Sequence, residues 1–294
     1  MIANHKQPML NRRPSSDHRS EDDIRMHYEI EKELSNRLRN ASRDERLGMY
    51  TTLYDEICER VPNIPGWNEQ IPPQALARNI ANKIQFLMRF MTSESTFLEL
   101  GPGDCSVSLA VAEHVKQVYA VDVSTAITSK VVPKDNFKLL ISDGVKIDVA
   151  PGTVDVAYSS NLMEHLHPDD ALEQLENIFR ALKPGGVYIC ITPSKLSGPH
   201  DVSKYFDATP TGFHLKEYST TELGKIMKSK GFDRVRPYIW FRGRLFIMPM
   251  FGVATMETLL QWLPRSWCRY VCNRFPINHV LACVIAYVPT GSGS

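Results

Sequence analysis

The chain lacks the cysteine spacing of a zinc ribbon or a dithiol redox site: its six cysteines, Cys58, Cys105, Cys190, Cys268, Cys272 and Cys283, contain no CxxC pair. Four of them sit in apolar runs, where a thiol behaves as a small hydrophobe, and this usage points to a reduced, intracellular protein. An excess of either charge is also missing. With 34 Lys and Arg against 33 Asp and Glu the formal net charge is +1, so no global field draws nucleic acid or an anionic membrane, and such a partner needs a local patch. Long apolar runs are missing as well. The longest, residues 281–288, falls far short of the roughly 20 residues of a membrane helix. The first twenty residues hold nothing like the apolar core of a signal peptide. These absences predict a soluble, cytoplasmic protein.

What is present is an ordinary globular composition, 43% hydrophobic and 23% charged over 294 residues, enough for one large core with additions. Residues 1–20, rich in Asn, Arg, Pro, Ser and His, read as a disordered tail, and the closing GSGS reads the same way. Between residues 21 and 60 apolar side chains recur at helical spacing (Ile24, Tyr28, Leu34, Leu38, then Met49, Leu53, Ile57), which predicts two amphipathic helices. A Pro-rich connector, VPNIPGWNEQIPP, leads to a third helical stretch at 74–90. Together residues 21–92 are expected to cover the core.

From Thr96 the period changes. Short apolar runs at 96–100, 117–122, 137–142, 154–159, 186–192 and 234–241 alternate with helical segments near 104–115, 168–182 and 220–230, the pattern of repeated βα units and a parallel sheet. A seventh strand, an antiparallel edge, is expected within 279–290. Residues 242–278, too long for a hairpin and rich in Trp, Phe, Met and Leu, are expected to form a helical insertion.

The chemical signal starts at FLELGPGDCSVSLA, where an apolar strand carrying Glu99 runs through Gly101 and Gly103 into a helix. Glycines let backbone approach a ligand closely, and the helix start exposes unpaired N–H groups. Asp122 closes the next strand, at the place where such folds put a carboxylate for ribose hydroxyls. A dinucleotide site opens in a similar way, but its third glycine is replaced here by Ser106 and it has no use for Glu99. A cationic sulfonium ligand without pyrophosphate tolerates that acid.

Several separated motifs carry one resemblance. LELGPGD, AVDVS, ISDGVKID, SSNLMEHLHPDD, LKPGGVYICITPS and FHLKEYSTTELGKIMKSKGF span roughly 95–240 and resemble the class I S-adenosylmethionine-dependent methyltransferases, particularly the small-molecule type. The resemblance implies a Rossmann-like, seven-stranded α/β sheet with helices on both faces, its core at 93–241, and S-adenosylmethionine as cofactor. It implies that Gly101 and Gly103 contact the methionine portion, with Glu99 near its ammonium group. Asp122 would take the ribose hydroxyls, Val123 would pack on the adenine, and Asp143 would accept from its amine. Gly144 and Asn161 complete the expected cofactor contacts.

Candidate catalytic groups are Glu164, His165 and His214, with His167 and Tyr218 nearby; a base is needed only if the acceptor carries a proton. Related quinone and small-RNA methyltransferases bind a divalent metal through Glu-x-x-Glu-His and a distant His. Here Asn161 replaces the first acid, so no metal is expected. The Asn/Asp-Pro-Pro-Tyr signature of amide and DNA-amine methyltransferases is missing. Both additions should border the acceptor, taken to be a small molecule, glycan- and lipid-linked ones included, methylated on O or N. The alternative is a non-catalytic cofactor-binding module acting through a protein partner. Residues 234–274 gather seven arginines and one acid, Glu257, among Trp, Phe and Tyr, a surface suited to packing on the core or to peripheral membrane contact. Nucleic acid has no second signal in its favour.

Overall fold

The computed structural model describes residues 9–10, 17–61, 64, 72–125, 134–274, 276–281 and 283–290. Most of the expected tail, much of the Pro-rich connector and the final GSGS lie outside them. The described core is a mixed sheet of eight strands in the order β3-β2-β1-β4-β5-β8-β6-β7. β1 (Thr96–Leu100), β2 (Gln117–Asp122), β3 (Phe137–Ile141), β4 (Val154–Ser160) and β5 (Leu182–Ile191) are parallel neighbours. Chain progress goes one way from β1 to β3 and then jumps back to β4 on the other side of β1. The carboxyl ends of β1 and β4 therefore flank a topological switch point, where sheets of this kind leave a crevice.

Strand periodicity divides the core into two layers. Leu98 and Leu100 of β1 point into one apolar cluster, which includes residues of α5 (Pro168–Ala181) and α6 (Thr220–Ser229). Phe97 points into the other, beneath α3 (Pro73–Leu87) and α4 (Ser106–Val111).

α1 (Glu21–Asn40) and α2 (Arg43–Arg60) form where the apolar spacing places them. Ser20 caps α1 through a capping box: its Oγ accepts from the Asp23 N–H at 3.1 Å, and Asp23 accepts from the Ser20 N–H at 3.1 Å. Leu34, Leu38, Tyr50, Leu53 and Ile57 then join the same cluster as the β1 leucines, so these helices share the core.

The C-terminal part departs from expectation in two ways. First, the sheet has eight strands, because β6 (Arg234–Phe241) turns straight back into β7 (Arg244–Ile247), inside the stretch expected to be helical. The two loop residues, Arg242 (φ 48°) and Gly243 (φ 73°), are both left-handed, the geometry of a two-residue hairpin. Helices follow only afterwards: α7 (Met250–Gln261), α8 (Arg265–Cys272) and α9 (Ile277–Val280). Second, β8 (Cys283–Tyr287) is antiparallel as expected but internal, wedged between β5 and β6, and the edges are β3 and β7. An unbroken apolar strand such as CVIAY suits a position with neighbours on both sides.

Candidate functional site

A cavity of about 240 Å³ opens at the switch point. Gly101, Gly103, Asp122, Val123, Gly144, Asn161 and His165, all singled out in the sequence, line it together with Ser124, Ile147 and Leu162. Gly103 has φ +55°, and nothing lies within 4 Å of where its Cβ would stand, so its backbone faces open space. Asp122 is buried at the end of β2. Its Oδ1 accepts from the Ser124 N–H at 2.9 Å and its Oδ2 from the Gly103 N–H at 3.3 Å, which ties the glycine turn to the neighbouring strand. Burial raises its pKa against those hydrogen bonds.

Two expected cofactor residues do not line the cavity. Glu99 sits one position before Leu100, hence on the opposite face of β1, where it accepts from the Ser108 hydroxyl of α4. Burial pushes its pKa up to about 7. Asp143 turns its Oδ1 to its own loop, accepting from the Val145 and Lys146 N–H groups at 3.0 and 2.7 Å. It shapes the turn whose members Ser142 and Gly144 reach the cavity.

The adjacent Glu164 and His165 and the distant His214 converge: one ligand atom from each lies within 4.8 Å of the others. His165 Nδ1 donates to the Phe213 carbonyl at 3.1 Å, which leaves Nε2 as a lone pair. Burial pushes the His165 pKa down to about 3, so the ring is neutral at pH 7. His214 Nδ1 donates to Glu217 Oε1 at 2.8 Å. Despite burial, that hydrogen bond and the charges of Asp201, Glu164 and Glu217 raise the His214 pKa. Glu217 itself is brought down to about 2 by His200 and His214, against its burial. Glu164 is fully buried; Oε2 accepts from the Thr192 hydroxyl at 2.9 Å, and Oε1 has no hydrogen-bond partner among the described residues.

A methyltransferase-domain family matches residues 69–236, more than half of the chain. The chain belongs to the class I S-adenosylmethionine-dependent methyltransferases. A probable S-adenosylmethionine-dependent methyltransferase of Mycolicibacterium smegmatis is 25% identical over 137 residues, 46% of this chain and 51% of that protein. Ribosomal RNA small subunit methyltransferase A of Kineococcus radiotolerans is 27% identical over 131 residues, 40% of this chain and 43% of that protein. The chain thus spans about half the length of the curated relatives it matches. Among solved structures, phosphoethanolamine N-methyltransferase 1 of Haemonchus contortus superposes with TM-score 0.53 at 16% identity, over 86% of this chain and 51% of that one. A chain of the Haloferax volcanii complex between the Trm112 methyltransferase activator and a methyltransferase gives 0.52 at 17% identity, over 74% and 93%. Both likenesses concern the fold. The cofactor of this methyltransferase family is S-adenosylmethionine, as the motifs implied.

Beside this glycine-lined cavity lies a second, of about 220 Å³, and the two share Tyr54 and His165 in their walls. The second is polar, lined by Arg19, His27, Glu31, His200, Asp201, Lys204 and His214 among others. A relay runs along it. Arg19 donates to His27 Nδ1 at 2.8 Å, which fixes the tautomer, so Nε2–H donates to Glu31 at 2.8 Å, and Glu31 accepts the Phe213 N–H at 3.2 Å. Arg39 of α1 donates to the carbonyls of Leu215 and His214 at 2.7 and 3.1 Å. The N-terminal helices therefore hold in place the segment that carries His214.

Sequence reasoning missed Tyr50, Tyr54, His27, Glu31, His200 and Glu217. The available signal was the four-residue spacing of Tyr50 and Tyr54 on α2, which puts both hydroxyphenyl groups on one helix face. Nothing local marked that face as a cavity wall.

Proposed function

We propose that this methyltransferase moves the S-adenosylmethionine methyl to an oxygen or nitrogen of a small polar acceptor held in the second cavity. The observation that supports this reading most is the contact of the two cavities at Tyr54 and His165, a glycine-lined cofactor side meeting a side lined by ionisable groups. Gly101, Gly103, Asp122, Val123, Gly144 and Asn161 hold the cofactor. In the transfer, the acceptor lone pair forms the new bond to the methyl carbon as the carbon–sulfur bond breaks, and S-adenosylhomocysteine leaves. A proton released by a protonated acceptor goes to Nε2 of His214, whose imidazolium Glu217 stabilises. His165, neutral and locked by Phe213, orients the acceptor. The lining sets the cations Arg19 and Lys204 against the acids Glu31 and Asp201, and an acceptor carboxylate or phosphate would pair with the two cations. The free thiols of Cys105, Cys190, Cys268, Cys272 and Cys283 support action in the cytoplasm.

The test is S-adenosylhomocysteine release across a panel of anionic metabolites, their glycan- and lipid-linked forms, neutral analogues and RNA. Turnover limited to small anionic acceptors supports the reading, and turnover on RNA alone overturns it. Cofactor binding without turnover on any of them points to a module working through a protein partner.

A second reading has one specific observation behind it. One ligand atom each from Glu164, His165 and His214 converges, Glu164 Oε1 has no hydrogen-bond partner among the described residues, and both histidines donate Nδ1–H to an acceptor, as metal-bound imidazoles do. This donor set fits a divalent cation that would polarise an acceptor hydroxyl. Loss of turnover on chelation, restored by a defined metal, selects it over the proton-transfer role of His214.

A further inference from the structure

α7 is unusual for a surface helix. Phe251, Leu259 and Trp262 lie at or just past its ends on one face, 83%, 58% and 81% exposed. They stand eight and three residues apart, so they line one side over roughly 16 Å. Between them are Thr255 and Thr258, both exposed, but each hydroxyl donates back to a helix carbonyl, Phe251 O at 3.0 Å and Ala254 O at 2.8 Å. The hydroxyl protons of this face are therefore turned to the helix and not offered to solvent.

The one charged residue of α7, Glu257, is buried on the opposite side, accepting from the Thr220 and Thr221 N–H groups at 2.7 and 3.2 Å, where it caps α6. At the corner into α8 stands Trp267, 63% exposed. The exposed charges of this stretch of chain all have one sign. Between residues 242 and 274 the chain has five arginines, of which Arg242, Arg244, Arg265 and Arg274 are exposed, and no exposed acid. Isolated exposed apolar residues are ordinary; a phenylalanine, a leucine and a tryptophan on one uncharged helix face, followed by a further exposed tryptophan in α8 in a stretch whose exposed charges are all arginine, are not.

We propose that this face of α7, with the α7–α8 corner, seats on the surface of an anionic lipid bilayer, the aromatic rings entering the acyl boundary and the arginines meeting lipid phosphates. Trp at such a boundary buries an apolar ring while its N–H stays wet, and guanidinium pairs with phosphate through several donors. No described helix is long and apolar enough to cross a membrane, so the attachment is peripheral. The face is also joined to the polar cavity. Cys268 and Asn273, on the inner side of α8 and just after it, hydrogen-bond to the carbonyls of Leu196 and Ser197, in the loop that leads to His200 and Asp201. Docking on lipid would place that loop next to the bilayer. The inference stands apart from the identity of the acceptor.

The experiment is co-sedimentation of the full chain with phosphatidylcholine vesicles, with and without phosphatidylglycerol, for the wild type and the Phe251→Ser/Trp262→Ser variant. Calorimetry of S-adenosylhomocysteine binding to both proteins shows that each is folded. The expected result is partition onto the phosphatidylglycerol vesicles, weakened by added salt and reduced about tenfold or more in the variant. Wild-type protein that binds cofactor but stays in the supernatant overturns the proposal, and so does equal partition of the variant. A concentration-dependent dimer that the double substitution dissolves, without lipid binding, assigns the face to a second copy of the chain instead.

Discussion

Arg46 of α2 and Asp170 of α5 form a two-pronged ion pair, Nε to Oδ2 at 2.7 Å and Nη2 to Oδ1 at 2.6 Å, with both side chains buried. Tyr50 donates to the same carboxylate at 2.7 Å and accepts from the His167 N–H at 2.9 Å. This latch fixes α2 beside the glycine-lined cavity and is the reason Tyr50 and Tyr54 stand in its wall.

Cutting one side of the latch leaves a buried carboxylate without its cation. Arg46→Ala should cost about 3–5 kcal/mol in urea unfolding. The apolar pair Arg46→Met/Asp170→Leu should be less damaging than the single change. Equal losses would show that packing, and not the charge, holds α2 in place.

Asp122 is the carboxylate we propose for the ribose hydroxyls, buried at the end of β2 in the wall of the glycine-lined cavity. A charge-assisted hydrogen bond contributes about 1.5–3 kcal/mol, so Asp122→Ala should weaken S-adenosylhomocysteine binding roughly tenfold to a hundredfold in calorimetry. Unchanged affinity removes Asp122 from the site.

Gly144 has φ +94°, and a Cβ there would lie 2.8 Å from the Tyr50 ring. Gly144→Ala should destabilise the protein by about 1–3 kcal/mol, from left-handed strain and overpacking together. Thermal unfolding with and without cofactor checks it, and the cofactor's stabilising effect should shrink because Tyr50 is displaced.

Glu99, raised from 4.5 to about 7 by burial, binds its proton more tightly folded than unfolded. The resulting stability is fully present below the unfolded pKa near 4.5 and is lost as pH rises through about 7. In the absence of cofactor, wild type should lose up to about 3 kcal/mol relative to Glu99→Gln across that window. Parallel pH profiles for the two proteins would show that Glu99 does not titrate there.

Glu217 raises the pKa of His214. If His214 takes the acceptor proton, Glu217→Gln should move the ascending limb of the pH–kcat profile toward acid and lower the plateau roughly tenfold or more. A lower rate with an unmoved limb would give Glu217 a purely structural role.

Much of the glycine-lined cavity wall was legible in the chain because its logic is local. A strand that ends in Gly101-Pro102-Gly103 must turn and expose amides, and a carboxylate that closes the next parallel strand lands beside that turn. The side of β1 on which Glu99 lies was also legible in principle, since Leu98 and Leu100 alternate with it, but assigning the faces needed the packed helices. The β6–β7 hairpin was missed because its loop is Arg242-Gly243, where Arg does not advertise a left-handed backbone.

The sequence by itself determined the βα alternation, the glycine turn and the identity of the strand-terminal acids, since each depends on residues a few positions apart. Only the tertiary structure decided that α2 walls the glycine-lined cavity, that β8 runs inside the sheet, and that His214 meets Glu164 and His165. Those outcomes depend on contacts between residues tens to more than a hundred positions apart, such as Arg46 with Asp170 and Glu31 with Phe213. Side-chain chemistry permits many such pairings, and it is simultaneous packing of the whole core that selects one.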